Sequence, residues 1–328
     1  MDYRNVGASG LKVSSIGLGT MTWGRDTDEM DAADQLAEFI EAGGTLIDTA
    51  SSYGDGAAEE LLGSFLRSGL AARDNVVICT KSGSRMRGEH FRTDASRGNL
   101  IDNLTESLRR LGTDHVDLWM VQRPDPSVPL EETLGALQWA VNTGKTRYIG
   151  LSNHPAWVVA RAHTLIQGAG AGGLGAGFGG GGGLGAGLTS IEVEYSLLNR
   201  RVEGELVPAA SSLGLGLLAW SPLGRGVLTG KYRHGVPADS RAASPHLRGF
   251  VTPYLASGPA GVVEAVATAA DGLGVAPLDV ALAWVRGRPC VASAILGART
   301  AAQLHTALVG AELELPPEIT DALDEVSG

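Results

Sequence analysis

Cysteine is nearly absent. The 328-residue chain holds two, Cys79 and Cys290, too few for a disulfide-stapled secreted domain. A reducing compartment, and so a cytoplasmic location, is expected. Neither cysteine sits in a metal-spacing motif, and no metal is expected. Positive charge is also scarce: Lys plus Arg number 26 against 36 acidic residues, a formal charge of -10. That balance argues against nucleic acid or an anionic membrane surface as a partner, while leaving room for a local basic pocket. The opening residues, MDYRNVGASGLKV, lack a cationic segment leading into an apolar run, so no signal peptide is read. No stretch reaches bilayer length without glycines and polar residues interrupting it. Secretion and membrane insertion are therefore not expected, and composition says nothing about oligomeric state.

Glycine, in contrast, is abundant: 47 residues, about twice the usual share. Thirteen of them fall in GAGAGGLGAGFGGGGGLGAG, residues 168–187. The tract lacks the strict third-residue period of collagen and has too few large side chains for a core. No Lys or Ser/Thr follows in P-loop register. A flexible, disordered insertion is expected there, within one domain spanning residues 1–328.

Outside that tract, short apolar runs alternate with amphipathic helical patterns. Strands are predicted at 14–20, 45–50, 75–81, 115–122, 146–153, 189–195, 215–220 and 291–296. Leu100, Leu104, Leu108 and Leu111 form one helical face; Leu130, Leu134, Leu137 and Val141 form another. A third, shorter face comprises Leu61, Leu62, Phe65 and Leu66. Pro208 falls inside the 203–212 pattern and argues against a regular helix there. Eight strand–helix units fit a closed (β/α)8 TIM barrel of the α/β class. A doubly wound sheet would also supply parallel strands, but GLGTMTWG after the first strand lacks GxGxxG spacing. Polar residues instead gather at the ends of several strands, as at a barrel's C-terminal mouth.

Two segments, DTASSYG at 48–54 and CTKSG at 79–83, place an acid, a phenol and an amine beyond adjacent strands. Tyrosine is a poor acid at neutral pH. A neighbouring ammonium would stabilise its phenolate, and a carboxylate would position the ammonium. Tyr53 could then protonate a developing alkoxide, with Lys81 lowering its pKa and Asp48 holding Lys81. Singly, Tyr53 reads more readily as a loop packing residue, and Lys81 and Asp48 as ordinary polar residues at a strand end.

Together these residues resemble the aldo-keto reductase superfamily. The matching words are GLGTMTWG, LIDTASSYGDG, CTKSG, LRRLGTDHVDLWMVQRPDP, GKTRYIGLSN, EYSLLNR, AWSPLGRGVLTGKYR and ILGARTAAQL. They run in family order over almost the whole chain, and most resemble bacterial members related to potassium-channel beta subunits. The resemblance implies a TIM barrel with a short N-terminal β-hairpin, in which the glycine tract becomes an αβ loop. It implies NADPH/NADP+ as cofactor and reduction of a small-molecule aldehyde or ketone. Tyr53 is then the proton donor, Lys81 its pKa-lowering partner and Asp48 the carboxylate behind Lys81.

One position departs from the pattern. Where the family's fourth strand ends in HRPD, this chain has Gln122-Arg123-Pro124-Asp125. Glutamine can orient a carbonyl oxygen but cannot titrate. Channel beta subunits, similar in the stretch RPDP…EET, carry an asparagine here and are slow reductases. Two rivals therefore stand beside the reductase: a cofactor-binding regulatory or interaction protein with weak activity, and a reductase of activated carbon–carbon double bonds.

By family register, Thr20 and Met21 close over the cofactor, while Ser152 and Asn153 hold the nicotinamide carboxamide. Glu192 stands where glutamine is usual; its carboxylate loses a donor and puts negative charge near a ring that is cationic when oxidised, slightly favouring NADP+. Trp220 corresponds to the aromatic stacked on the nicotinamide. Ser221, Pro222, Leu223, Gly224 and Arg225 form the loop over the pyrophosphate, with Lys231 and Arg241 as further phosphate contacts. Gly297, Arg299 and Gln303 match the adenosine end, where Arg299 favours a 2′-phosphate. The glutamate–asparagine pair usual beyond is Thr306-Ala307. Trp23, Trp119, Phe250 and Tyr254 are candidate aromatic walls for an apolar carbonyl substrate. Asp117 and Arg123 read as structural ion-pair or hydrogen-bond residues.

Overall fold

A computed structural model of the chain describes residues 1–87, 90–170, 187–238, 240–255, 260–310 and 312–328. Most of the glycine tract, 171–186, thus lies outside the described residues. The chain opens with an antiparallel hairpin, β1 (Tyr3–Asn5) and β2 (Lys12–Ser14). The barrel strands begin with β3 (Ile16–Gly19), β4 (Leu46–Asp48) and β5 (Val77–Ser82). A two-stranded ribbon, β6 (Ser84–Arg87) and β7 (His90–Thr93), interrupts them. The ring resumes with β8 (Val116–Val121), β9 (Thr146–Ser152), β10 (Leu188–Glu194), β11 (Gly216–Trp220) and β12 (Val291–Leu296). Their order is closed, and every pairing around the ring is parallel. Each of the eight predicted strands is present, within two residues at either end.

Helices fill the outside: α1 (Glu29–Glu41), α2 (Ala57–Ser68), α3 (Arg97–Leu111), α4 (Leu130–Asn142), α5 (Ala156–Gly170) and α6 (Leu206–Leu213). After β11 a long loop with a short turn, α7 (Arg248–Val251), leads into α8 (Ala260–Leu273) and α9 (Pro277–Arg286). Beyond β12, α10 (Ala301–Val309) and α11 (Pro317–Ser327) complete the chain. The predicted apolar faces of α2 and α3 point inward; Leu62, Leu100, Leu104 and Leu111 are fully buried. Neither helix could approach the other so closely with a side chain at Gly63, whose Cβ would lie 2.1 Å from the Arg110 carbonyl oxygen.

The warning at Pro208 is corrected. It occupies the third position of α6, in the first turn, where the missing N–H has no intrahelical acceptor to lose. The ribbon β6–β7 was not anticipated.

The hairpin closes the bottom of the barrel. Val6, Leu11 and Val13 pack against Leu46, Cys79, Leu118, Met120, Leu218 and Ala292. Gly7 is left-handed (φ 59°) and lies against the α6–β11 turn; a Cβ there would stand 2.3 Å from the Gly214 oxygen. With that end filled, the open end lies at the strands' C-termini, where barrel loops are free to carry chemistry. No single helix among the described residues is long and apolar enough to cross a membrane.

Candidate active site

A cleft of about 500 Å³ opens at the C-terminal mouth. Asp48 ends β4, and Cys79 sits across from it in β5. The two-residue period of a strand turns Lys81 to the same inner face as Cys79. Lys81 and Asp48 are almost wholly buried, and their side chains meet at 2.5 Å. The Lys81 Nζ also donates to the Thr49 carbonyl at 3.0 Å and to the Tyr53 hydroxyl at 3.5 Å. Tyr53 is brought there by a tight turn after β4 in which Gly54 and Asp55 are both left-handed (φ 58° and 53°). The acid, amine and phenol expected from sequence are therefore joined in one hydrogen-bonded chain.

Glu192 from β10 enters the same group, its Oε2 3.3 Å from Lys81 Nζ. Burial alone would lower the Lys81 ammonium, but Asp48 and Glu192 outweigh it and hold the group well above its ordinary value. Burial and the charge of Asp48 push Glu192 up to about 8. The expected lowering of Tyr53 is corrected: burial pushes its phenol above 10, and Asp48 and Glu192 oppose the downward pull of Lys81. One ammonium faces two carboxyl groups, so its stabilisation of a phenolate is shared out.

Gln122 follows β8, nearly buried at the cleft wall, where its Oε1 accepts from the Ser52 hydroxyl at 2.9 Å. Asn153 is left-handed (φ 59°). Its amide donates to the Gln122 carbonyl and to Ser152 Oγ, and its Oδ1 accepts from Trp220 Nε1 at 3.1 Å. Trp220 is half-buried at the cleft and stacks on Phe250 with centroids 6.3 Å apart.

Met21, Ser152, Ser221, Pro222, Leu223 and Arg225 line the cleft, as do Lys231, Arg241, Gly297 and Gln303. Thr20, Gly224 and Arg299 do not reach its surface. Thr20 donates through Oγ1 to the Asp48 carbonyl, Gly224 packs on Leu198, and the Arg299 backbone N–H donates to Gln303 Oε1. Arg225 is committed elsewhere than expected. It grips Glu194 through two contacts of 2.7 Å and lies 4.0 Å over the Phe250 ring, so its charge is already balanced by a carboxylate. Arg241 donates to the Gly297 carbonyl at 2.7 Å. Burial, reinforced by the like charge of Arg299, holds that guanidinium below its ordinary value.

Of the aromatic walls read from sequence, Phe250 lines the cleft. Trp23 and Trp119 do not: both are fully buried, donating to Gln35 and Ser82. Tyr254 is turned to Glu194, which accepts from it at 3.2 Å. Asp117 pairs with Arg73 and Arg147 at 2.8 Å each, as a structural residue should. Two contributors went unread: Ser52, which holds Gln122, and Glu194, which holds Arg225. Glu194 was findable, since it lies two residues beyond Glu192 in a strand and so shares its face.

The sequence pattern of the Aldo/keto reductase family matches residues 15–327. The chain belongs to that family. As an aldo/keto reductase it is an oxidoreductase on a TIM barrel, and its relatives match it nearly end to end. A "Probable voltage-gated potassium channel subunit beta" of Oryza sativa subsp. japonica is 33% identical over 99% of this chain and 96% of its own. "Uncharacterized oxidoreductase YrpG" of Bacillus subtilis is 31% identical, with the same two coverages. "Protein tas" of Escherichia coli is 35% identical over 99% of this chain and 97% of its own. The aldo/keto reductase thus has both bacterial and channel-associated names among its relatives.

Proposed function

We propose that this aldo/keto reductase, acting as one barrel domain, reduces a small aldehyde or ketone to an alcohol with NADPH, and that Tyr53 delivers the proton. The observation that carries the reading is the buried chain from Tyr53 through Lys81 to Asp48, open to the cleft on the Tyr53 side. The donor set fits the cofactor. Ser152 and Asn153 offer polar groups beside Trp220 at one end, while Lys231 and Arg241 bring positive charge to the same cleft. A nicotinamide and its phosphates need those two chemistries in one groove. Arg225 would contribute shape more than charge, being held by Glu194.

NADPH, when bound, supplies the hydride that reaches the carbonyl carbon. Tyr53 remains a neutral phenol at pH 7, because burial, with the Asp48 carboxylate, keeps its proton on. It can therefore give that proton to the oxygen as negative charge develops there. The phenolate left behind faces the Lys81 ammonium, which Asp48 keeps charged and aimed. Gln122 has its Oε1 taken by Ser52, which turns its amide N–H donors toward an acceptor oxygen. A cytoplasmic location accompanies this reading, since Cys79 and Cys290 are both free thiols.

The test is NADPH consumption by the purified protein across a panel of aldehydes, ketones and diketones. Tyr53→Phe is expected to lower kcat by about 10²–10⁴-fold while NADPH still quenches tryptophan fluorescence. An unchanged rate would remove Tyr53 from the mechanism. The amide at Gln122 and the rice relative's name favour a second reading, a cofactor-binding regulatory partner with weak activity; NADPH binding without turnover on any panel member would support it.

A further inference from the structure

A lysine ammonium has three N–H bonds to give, and those of Lys81 are all spent. They go to Asp48 Oδ1, the Thr49 carbonyl and the Tyr53 hydroxyl. Glu192 Oε2 lies 3.3 Å from the same nitrogen, is shut off from solvent and accepts no hydrogen bond. Carboxyl oxygens of Asp48 and Glu192 lie within 4.8 Å of each other and of the Cys79 sulfur. If both acids were ionised, two negative charges would share one positive charge out of water, and one carboxylate oxygen would be left bare. Such an excess buried charge is costly, and a proton on one carboxyl removes it. Asp48 holds the short contact to the ammonium, so the proton falls to Glu192.

We propose that Glu192 is a neutral carboxylic acid in the resting site and ionises when the oxidised cofactor binds, so that the balance between NADP+ and NADPH binding depends on pH. The inference rests on the NADP(H) reading above. Glu192 lines the cleft and is paired in register with Ser152, at the end assigned to the nicotinamide. As an acid it offers one donor and an acceptor, as a glutamine amide does; ionised, it offers acceptors and a charge. The reduced ring is neutral and the oxidised ring cationic, so only the oxidised form gains from the carboxylate. The event breaks one bond, the Glu192 O–H, and the proton goes to solvent.

The other titratable groups facing Glu192 are Asp48 from β4, Cys79 and Lys81 from β5, and Tyr53 from the turn after β4. Burial keeps the Cys79 thiol and Tyr53 phenol protonated, and the Asp48 carboxylate keeps Lys81 charged. Burial raises the Asp48 carboxyl as well, but its 2.5 Å contact with the ammonium keeps it ionised, so Glu192, pushed up to about 8, is the carboxyl left to titrate in the neutral range.

Glu192→Gln is nearly isosteric and keeps a donor and an acceptor. Dissociation constants for NADP+ and NADPH, read by tryptophan quenching from pH 6 to 9, supply the test. Titration of the 2′-phosphate is common to both ligands and cancels in their ratio. In the wild type, Kd(NADP+)/Kd(NADPH) is expected to fall at least about tenfold over that range, one proton being linked to binding. In Glu192→Gln it should move less than about twofold. Calorimetry in two buffers of different ionisation enthalpy should show more proton release on NADP+ binding than on NADPH binding, the 2′-phosphate contribution being common to both. The infrared difference between the unliganded proteins at pH 7 should contain the carbonyl stretch of a protonated carboxyl. A pH-independent ratio in the wild type, or an equal slope in Glu192→Gln, overturns the coupling. An infrared difference without that band overturns the neutral acid. Failure of either nucleotide to bind overturns the NADP(H) reading and the coupling with it, while the infrared band still decides the state of Glu192.

Discussion

Ser52 and Gln122 meet at 2.9 Å beside the Tyr53 phenol, and that contact fixes what the cleft can do at this point. In the proposed mechanism the glutamine orients an oxygen but exchanges no proton, leaving Tyr53 to act alone. Gln122→His restores a titratable ring, and kcat for a good carbonyl substrate is expected to rise by about tenfold or more. Steady-state NADPH oxidation near pH 6.5 would measure it; a rate no higher than wild type would show that proton handling is not limiting. Asp48, Tyr53 and Lys81 were legible because each sits at a strand end in a short, recognisable word. The direction of the Tyr53 shift was not. It depends on Glu192, more than a hundred residues along the chain, reaching the same ammonium, and on burial that only a closed barrel creates. Arg225 was read by register as a phosphate contact, whereas Glu194 from a neighbouring strand claims it.

Among elements, the turn after β9 carries a built-in acid sensitivity. His154 is buried there, with Nδ1 2.8 Å from the Ser152 carbonyl. Burial lowers its pKa from 6.5 to about 4. Between those values the unfolded chain binds the proton and the folded chain does not, so this stability is present above pH 6.5 and lost as pH falls through 4. The loss from His154 between pH 7 and pH 4 is expected to be about 3 kcal/mol. Urea unfolding at both pH values should show it, and His154→Asn should remove most of that difference. An equal acid loss in the variant would place the effect elsewhere. The barrel strands were legible as apolar runs of strand length, since both faces of a parallel barrel are covered. The β6–β7 ribbon was not, because SRMR and HFRT hold one large apolar residue each, Met86 and Phe91, too few to make an apolar run. Pro208 misled because its cost depends on whether it falls in the first turn of a helix, a boundary the pattern does not mark.

For the molecule as a whole, the glycine tract joins the C-terminal end of α5 to the N-terminal end of β10. The N-terminal end of β10, which the tract precedes, lies on the face opposite the cleft. Replacing residues 171–186 with a short Gly-Ser linker is expected to leave kcat within about twofold of wild type, in keeping with the tolerance of connections to length changes. A large fall in kcat, measured with the NADPH assay, would tie the tract to the chemistry. The formal charge of -10 likewise describes the protein's surroundings more than its cleft, where Lys231 and Arg241 stand.

The hairpin at the bottom has a consequence for the order in which the molecule comes into being. Val6, Leu11 and Val13 find their seat among residues as distant as Ala292 and Ile295, and Arg4 donates to the carbonyls of Arg286 and Val291. During synthesis the hairpin must therefore wait for a segment made 287 residues after Arg4. Contacts across so great a sequence separation are the kind that forms late. The beginning of the chain is the stopper set in place once the vessel has closed.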